Sequence, residues 1–111
     1  MDLKQLTEEM NRFVKSKGWY ESGSPRPQTP KNLAISLCLE SAEVLEHFQW
    51  RESTQSQSEL ESELADVTLY LLQLASVFQI DLETAVKRKL ETNYAREWDQ
   101  DKMQPPGSSI S

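Results

Sequence analysis

LCLESAEVLEHFQW, residues 37–50, decides the fold. Leu37, Leu39, Ala42, Val44, Leu45 and Phe48 are spaced as core candidates on a helix. Glu40 and Glu43 sit among them, three apart, and Glu46 follows closely. A buried carboxylate is costly unless something neutralises it. The stretch therefore predicts a helix and poses a question about its acids.

Outward from it, helical spacing recurs. Leu3, Leu6, Met10, Phe13 and Val14 predict a first helix over about residues 2–17, stopped by Gly18. GWYESGSPRPQTP, residues 18–30, has the composition of a loop. Thr29 and Pro30 form a cap and first-turn pair for the second helix, about 30–49. RESTQSQS, residues 51–58, is polar and marks a turn. Ser56 with Glu59, and Ser58 with Glu61, each match a capping box for a third helix, about 57–79. Asp81 caps a fourth over about 82–98. The tail from residue 99 has the composition of a disordered end, so a single domain spans 1–98 and the tail 99–111. No segment alternates with period two. The expected class is all-α, a four-helix bundle-like fold. The third helix, around ELADVTLYLLQLASVF, is apolar nearly all round, which predicts that a second copy of the chain covers it.

Composition narrows the function. The 111 residues suffice for one core. A net charge of −6 disfavours a nucleic-acid binder. No apolar run reaches the roughly 18 residues of a membrane span, and the N-terminus lacks a signal peptide's basic start and apolar stretch. One cysteine, Cys38, reads as a buried inert thiol and fits a reducing cytoplasm.

On a wheel at about 100° per residue, Ser36, Glu40, Glu43 and His47 share a narrow stripe. Leu33, Leu37 and Val44 flank it on one side and Leu39 on the other. Helix three repeats the design with Glu59, Glu63, Asp66 and Tyr70, beside Val67, Leu74 and Val77. Either pair alone reads as a solvated surface feature. Two pairs on consecutive helices, each hemmed by apolar residues, point to four converging carboxylates: Glu40, Glu43, Glu63 and Asp66. Like charges so close repel, and a hard divalent cation removes the conflict; Mg²⁺ suits carboxylate oxygens and often holds a substrate phosphate. Di-iron chemistry would need Glu-x-x-His twice. The only histidine, His47, stands four after Glu43 and reads as a helix-end or supporting residue.

These residues together resemble the MazG-like all-α nucleoside triphosphate pyrophosphohydrolases, in particular the dCTP pyrophosphatase-like branch. The resemblance rests on Gly18-Trp19, Pro30-Lys31-Asn32-Leu33, Glu40 to Trp50, Glu63 to Tyr70, and Lys89, Asn93 and Arg96, and covers about residues 3–98. Leu39 stands where many members have a further glutamate, as is usual in that branch. The loop between Trp19 and Pro30 is longer than the branch's and lacks its frequent histidine.

The resemblance implies Mg²⁺-dependent hydrolysis of a dNTP between α- and β-phosphates, to dNMP and pyrophosphate. The substrate would be dCTP or a related or modified pyrimidine, and the role housecleaning of the nucleotide pool. Glu40, Glu43, Glu63 and Asp66 would hold metal, with Glu40 or Glu43 taking the proton of the attacking water. Lys89 and Arg96 would reach phosphates, Asn93 a base or sugar hydroxyl, and Trp19 and Trp50 would stack on the base. Tyr70 would pack against the deoxyribose. Trp98 and Phe13 read as packing residues. A cytoplasmic homo-oligomer follows, a dimer or a dimer of dimers. The rivals are a non-enzymatic helical adaptor for a basic partner and a metal-dependent phosphatase releasing orthophosphate.

Overall fold

The computed structural model describes residues 1–53 and 56–100. They form four helices, α1 (Leu3–Ser16), α2 (Pro30–Glu46), α3 (Gln57–Val77) and α4 (Leu82–Gln100), with no strand among the described residues. The first two residues of the expected 99–111 tail, Asp99 and Gln100, belong to α4 instead, and the rest of that tail lies outside the described residues, as does the side chain of Trp98.

Each helix begins where a side chain can accept from an orphan backbone N–H. Asp2 and Gln5 bond reciprocally in a capping box at α1. Thr29 Oγ1 accepts from Asn32 N–H at 3.2 Å, with Pro30 in the first turn of α2. Of the two expected capping serines it is Ser56 that caps α3, accepting from Glu59 N–H at 3.3 Å. Asp81 accepts from Thr84 N–H at 3.2 Å. Gly18 turns the chain out of α1 at φ 70°. Just past the end of α3, Gln79 takes φ 56°, a left-handed conformation more usual for glycine. Residues 47–50 form a turn rather than the last turn of α2: the N–H groups of His47 and Phe48 bond three residues back.

Residues 1–80 form one compact unit, in which α3 packs against both α2 and α1. Its core is Met10 and Val14 from α1, Leu33 from α2, and Leu72 and Ala75 from α3; Leu33 and Leu72 are each 1% exposed. The chain from Asp81 forms a second unit, carrying α4. There Val86, Leu90 and Tyr94 follow at four-residue steps on one side of the helix, all exposed.

Two expectations are corrected. Cys38 is exposed rather than buried, because it and the adjacent Leu39 lie off the side of α2 that meets α3. Phe13 is 53% exposed and stands at the rim of a cavity, not in the core. Along α3, Leu64, Leu69 and Leu71 are also exposed in the single chain, as are Ile35 and Leu45 on α2. No helix among the described residues is long and apolar enough to cross a membrane.

Candidate active site

The packing of α2 on α3 turns the two acidic stripes toward each other. Glu40, Glu63 and Asp66 are half-buried and Glu43 is exposed. Glu40 is held above the usual carboxylate range. Burial is the main cause, followed by a hydrogen bond to Glu43 and the charges of Glu43, Asp66 and Glu63. The buried Oε2 of Glu40 has no hydrogen-bond partner among the described residues. His47, at the C-terminus of α2, contacts Glu63 through Nε2. No lysine or arginine pairs with any of the four among the described residues.

Two concavities flank the cluster. A polar cleft of about 540 Å³ runs along Glu43, Glu46, His47, Arg51, Ser56, Glu59 and Glu63. An apolar cavity of about 470 Å³ lies between α1, the 19–28 loop and α3, and Asp66 reaches its wall. Its lining includes Phe13, Val14, Trp19, Arg26, Gln28, Leu69, Tyr70 and Gln73. The rings of Phe13 and Trp19 meet edge to face at 5.7 Å, and the Arg26 guanidinium lies 5.6 Å from the Trp19 ring. An aromatic floor, a few polar groups and an adjacent acidic cluster are what a flat ring carrying phosphates needs.

Of the residues singled out in the sequence, the structure gathers Glu40, Glu43, Glu63 and Asp66, and it puts Trp19 and Tyr70 in the cavity that Asp66 borders. It does not bring Trp50 there: Trp50 is 86% exposed and lines neither concavity. Lys89, Asn93 and Arg96 lie on α4, in the second unit. Phe13, Arg26, Gln28 and Gln73 escaped the sequence reading. Gln73 left a signal, an amide breaking the apolar run LYLLQLASV; Arg26 and Gln28 left none in a loop of mixed polar residues.

The donor set suits a hard divalent cation: four carboxylates, one of them raised by burial and by the other three, with no basic partner but His47 among the described residues. The carboxylates are a cluster and not a finished coordination shell. Among the described residues no three His, Cys, Asp or Glu side chains already stand as ligands to one point.

Residues 35–104 match the model of the MazG-like family. The chain is 33% identical to dCTP pyrophosphatase 1 of Mus musculus over 104 residues, 86% of this chain and 56% of that protein. The human protein of the same name is 32% identical over the same shares. The chain thus spans little more than half the length of these relatives. A crystal structure of a pyrophosphatase from Archaeoglobus fulgidus superposes with a TM-score of 0.72 at 39% identity, covering 85% of this chain and 90% of that one. The family match spans more than half the chain and runs through both acidic stripes, and the chain belongs to the MazG-like family.

Proposed function

We propose that the protein is a Mg²⁺-dependent nucleoside triphosphate pyrophosphohydrolase. It adds water across the bond between the α- and β-phosphates of a dNTP, giving dNMP and pyrophosphate. The preferred substrate is dCTP or a related or modified pyrimidine, and the role is clearing unwanted nucleotides from the pool. The observation that carries this reading is the convergence of Glu40, Glu43, Glu63 and Asp66 beside a cavity lined by Trp19 and Tyr70. The names of the relatives, dCTP pyrophosphatase and pyrophosphatase, support it.

Glu40, Glu43, Glu63 and Asp66 would hold the cation. Bound Mg²⁺ would supply neutralisation of the phosphate oxygens and acidify a water. Glu40 or Glu43 accepts that water's proton, and the surroundings of Glu40 hold its carboxyl above the usual range, as a proton acceptor needs. His47 steadies Glu63 from the polar-cleft side. Trp19 stacks on the base, worth roughly 1–3 kcal/mol, and Tyr70 packs against the sugar. The exposed apolar rows of α2 and α3 belong to a homo-oligomer, a dimer or a dimer of dimers. A reducing cytoplasm suits an exposed single thiol at Cys38.

The test is ³¹P NMR of a dNTP mixture incubated with protein and Mg²⁺, with an EDTA control. Pyrophosphate and dNMP appearing only with Mg²⁺ are expected. Orthophosphate as the first product would make the protein a phosphatase. No product from any nucleotide, modified pyrimidines included, would leave the cluster a binding feature.

A further inference from the structure

The apolar cavity holds one buried polar side chain, Gln73, which is 4% exposed. Its surroundings fix which end of its amide is left over. Asn11 Nδ2 donates to Ser76 Oγ at 2.9 Å, so Asn11 presents its Oδ1 to Tyr20. The Tyr20 hydroxyl spends its one proton on that Oδ1, at 2.5 Å. The Tyr20 oxygen, 4.0 Å from Met10 Sδ, also meets the Gln73 side chain. Burial raises the Tyr20 phenol, and a side-chain hydrogen bond with Gln73 partly offsets that rise. Gln73 Nε2 also donates to Gln28 Oε1, at 2.5 Å. With Nε2 committed to Gln28, the end of the amide left over is Oε1, and no donor to it stands among the described residues. The group left for the cavity is an acceptor whose orientation is set by a relay running back through Tyr20 and Asn11 to Ser76.

We propose that Gln73 is a specificity-determining residue that reads a ring amino group, such as the 4-amino group of cytosine, through Oε1. This rests on the nucleotide reading above and narrows it. A 4-amino group donates to the oxygen. A 4-carbonyl, as in uracil, sets two acceptors against each other and leaves a buried oxygen without a partner. Asn11, Tyr20 and Ser76 are positioning residues: without the relay the amide is free to flip and offer its NH₂ group to a carbonyl.

The test compares kcat/KM for dCTP and dUTP, together with calorimetric binding of dCMP and dUMP, in wild type, Gln73→Met and Ser76→Ala, with helix content followed by circular dichroism. The expected wild type prefers the amino base in both measurements. Gln73→Met removes the acceptor at similar volume and cuts the preference by about tenfold. Ser76→Ala, whose side chain lies outside the cavity lining, narrows the preference chiefly by improving the uracil nucleotide. A loss of general packing would lower both nucleotides together. Turnover with a base preference that neither variant moves would overturn the role of Gln73 and leave the reaction intact. Absent turnover with a dCMP preference lost in Gln73→Met would overturn the reaction and keep Gln73. If Gln73→Met does not fold, Ser76→Ala decides by the same ratio. Absence of both binding and turnover would overturn both.

Discussion

Glu40 carries the tension in the site. Its carboxyl is raised by burial, by the bond to Glu43, and by the charges of Glu43, Asp66 and Glu63. An acid whose pKa is higher folded than unfolded favours folding while it is protonated. That contribution is complete below the unfolded value and is lost as pH rises through the raised folded one. Cation-free protein should therefore gain from Glu40→Gln near neutral pH and gain little in acid. Thermal unfolding of both proteins across the carboxylate range checks this; a difference that shrinks as pH rises would contradict it. The same cluster predicts that Glu43→Gln or Asp66→Asn lowers turnover by a factor on the order of 10²–10⁴, with the helical circular-dichroism signal unchanged. Near-normal activity in either variant would remove that residue from the machinery. The acids were legible because their three-residue spacing is set against flanking apolar residues. Phe13 was not: its apolar spacing is the same whether it fills a core or rims a cavity, and only the packing of the 19–28 loop decides between them.

At the scale of the helices, most ends were readable because capping chemistry is local. Thr29-Pro30, Ser56 and Asp81 each satisfy a backbone N–H within three residues. The end of α3 was not readable. Gln79 has no special affinity for the left-handed conformation that it adopts, and Ile80 N–H closes the turn on Ala75 O at 2.9 Å. Glycine bears that conformation without the Cβ penalty. Gln79→Gly should stabilise the protein by about 0.5–1 kcal/mol, read as a higher urea midpoint with unchanged slope. A lower midpoint would mean that the glutamine side chain contributes more than its backbone costs. The buried amide of Gln73 is an intermediate case. Its place in an apolar run was visible, but its orientation depends on Ser76, Asn11 and Tyr20, brought together only by the packing of α1 and the following loop against α3.

For the whole molecule, the single chain buries few apolar side chains fully and leaves large ones open on α2 and α3. Leu39 is 63% and Leu45 68% exposed, more apolar surface than a lone small domain ordinarily shows to water. A homo-oligomer is the expected state, and Leu39→Glu with Leu45→Glu should shift sedimentation toward the monomer; a wild type that already sediments as a monomer would refute it. The apolar excess of α3 was legible in sequence, whereas the exposure of Cys38 was not, since an apolar run does not say which of its sides meets another helix. The central claim, that four carboxylates of α2 and α3 hold a divalent cation, has one direct test: thermal unfolding of nucleotide-free wild type and Glu40→Gln, with excess Mg²⁺ and with NaCl of matched ionic strength. Ligand binding to the folded state raises the melting temperature. A Mg²⁺-specific rise is expected in wild type, and in Glu40→Gln a higher starting value with a smaller rise. A rise equal in both proteins, or none beyond that given by NaCl, would contradict it.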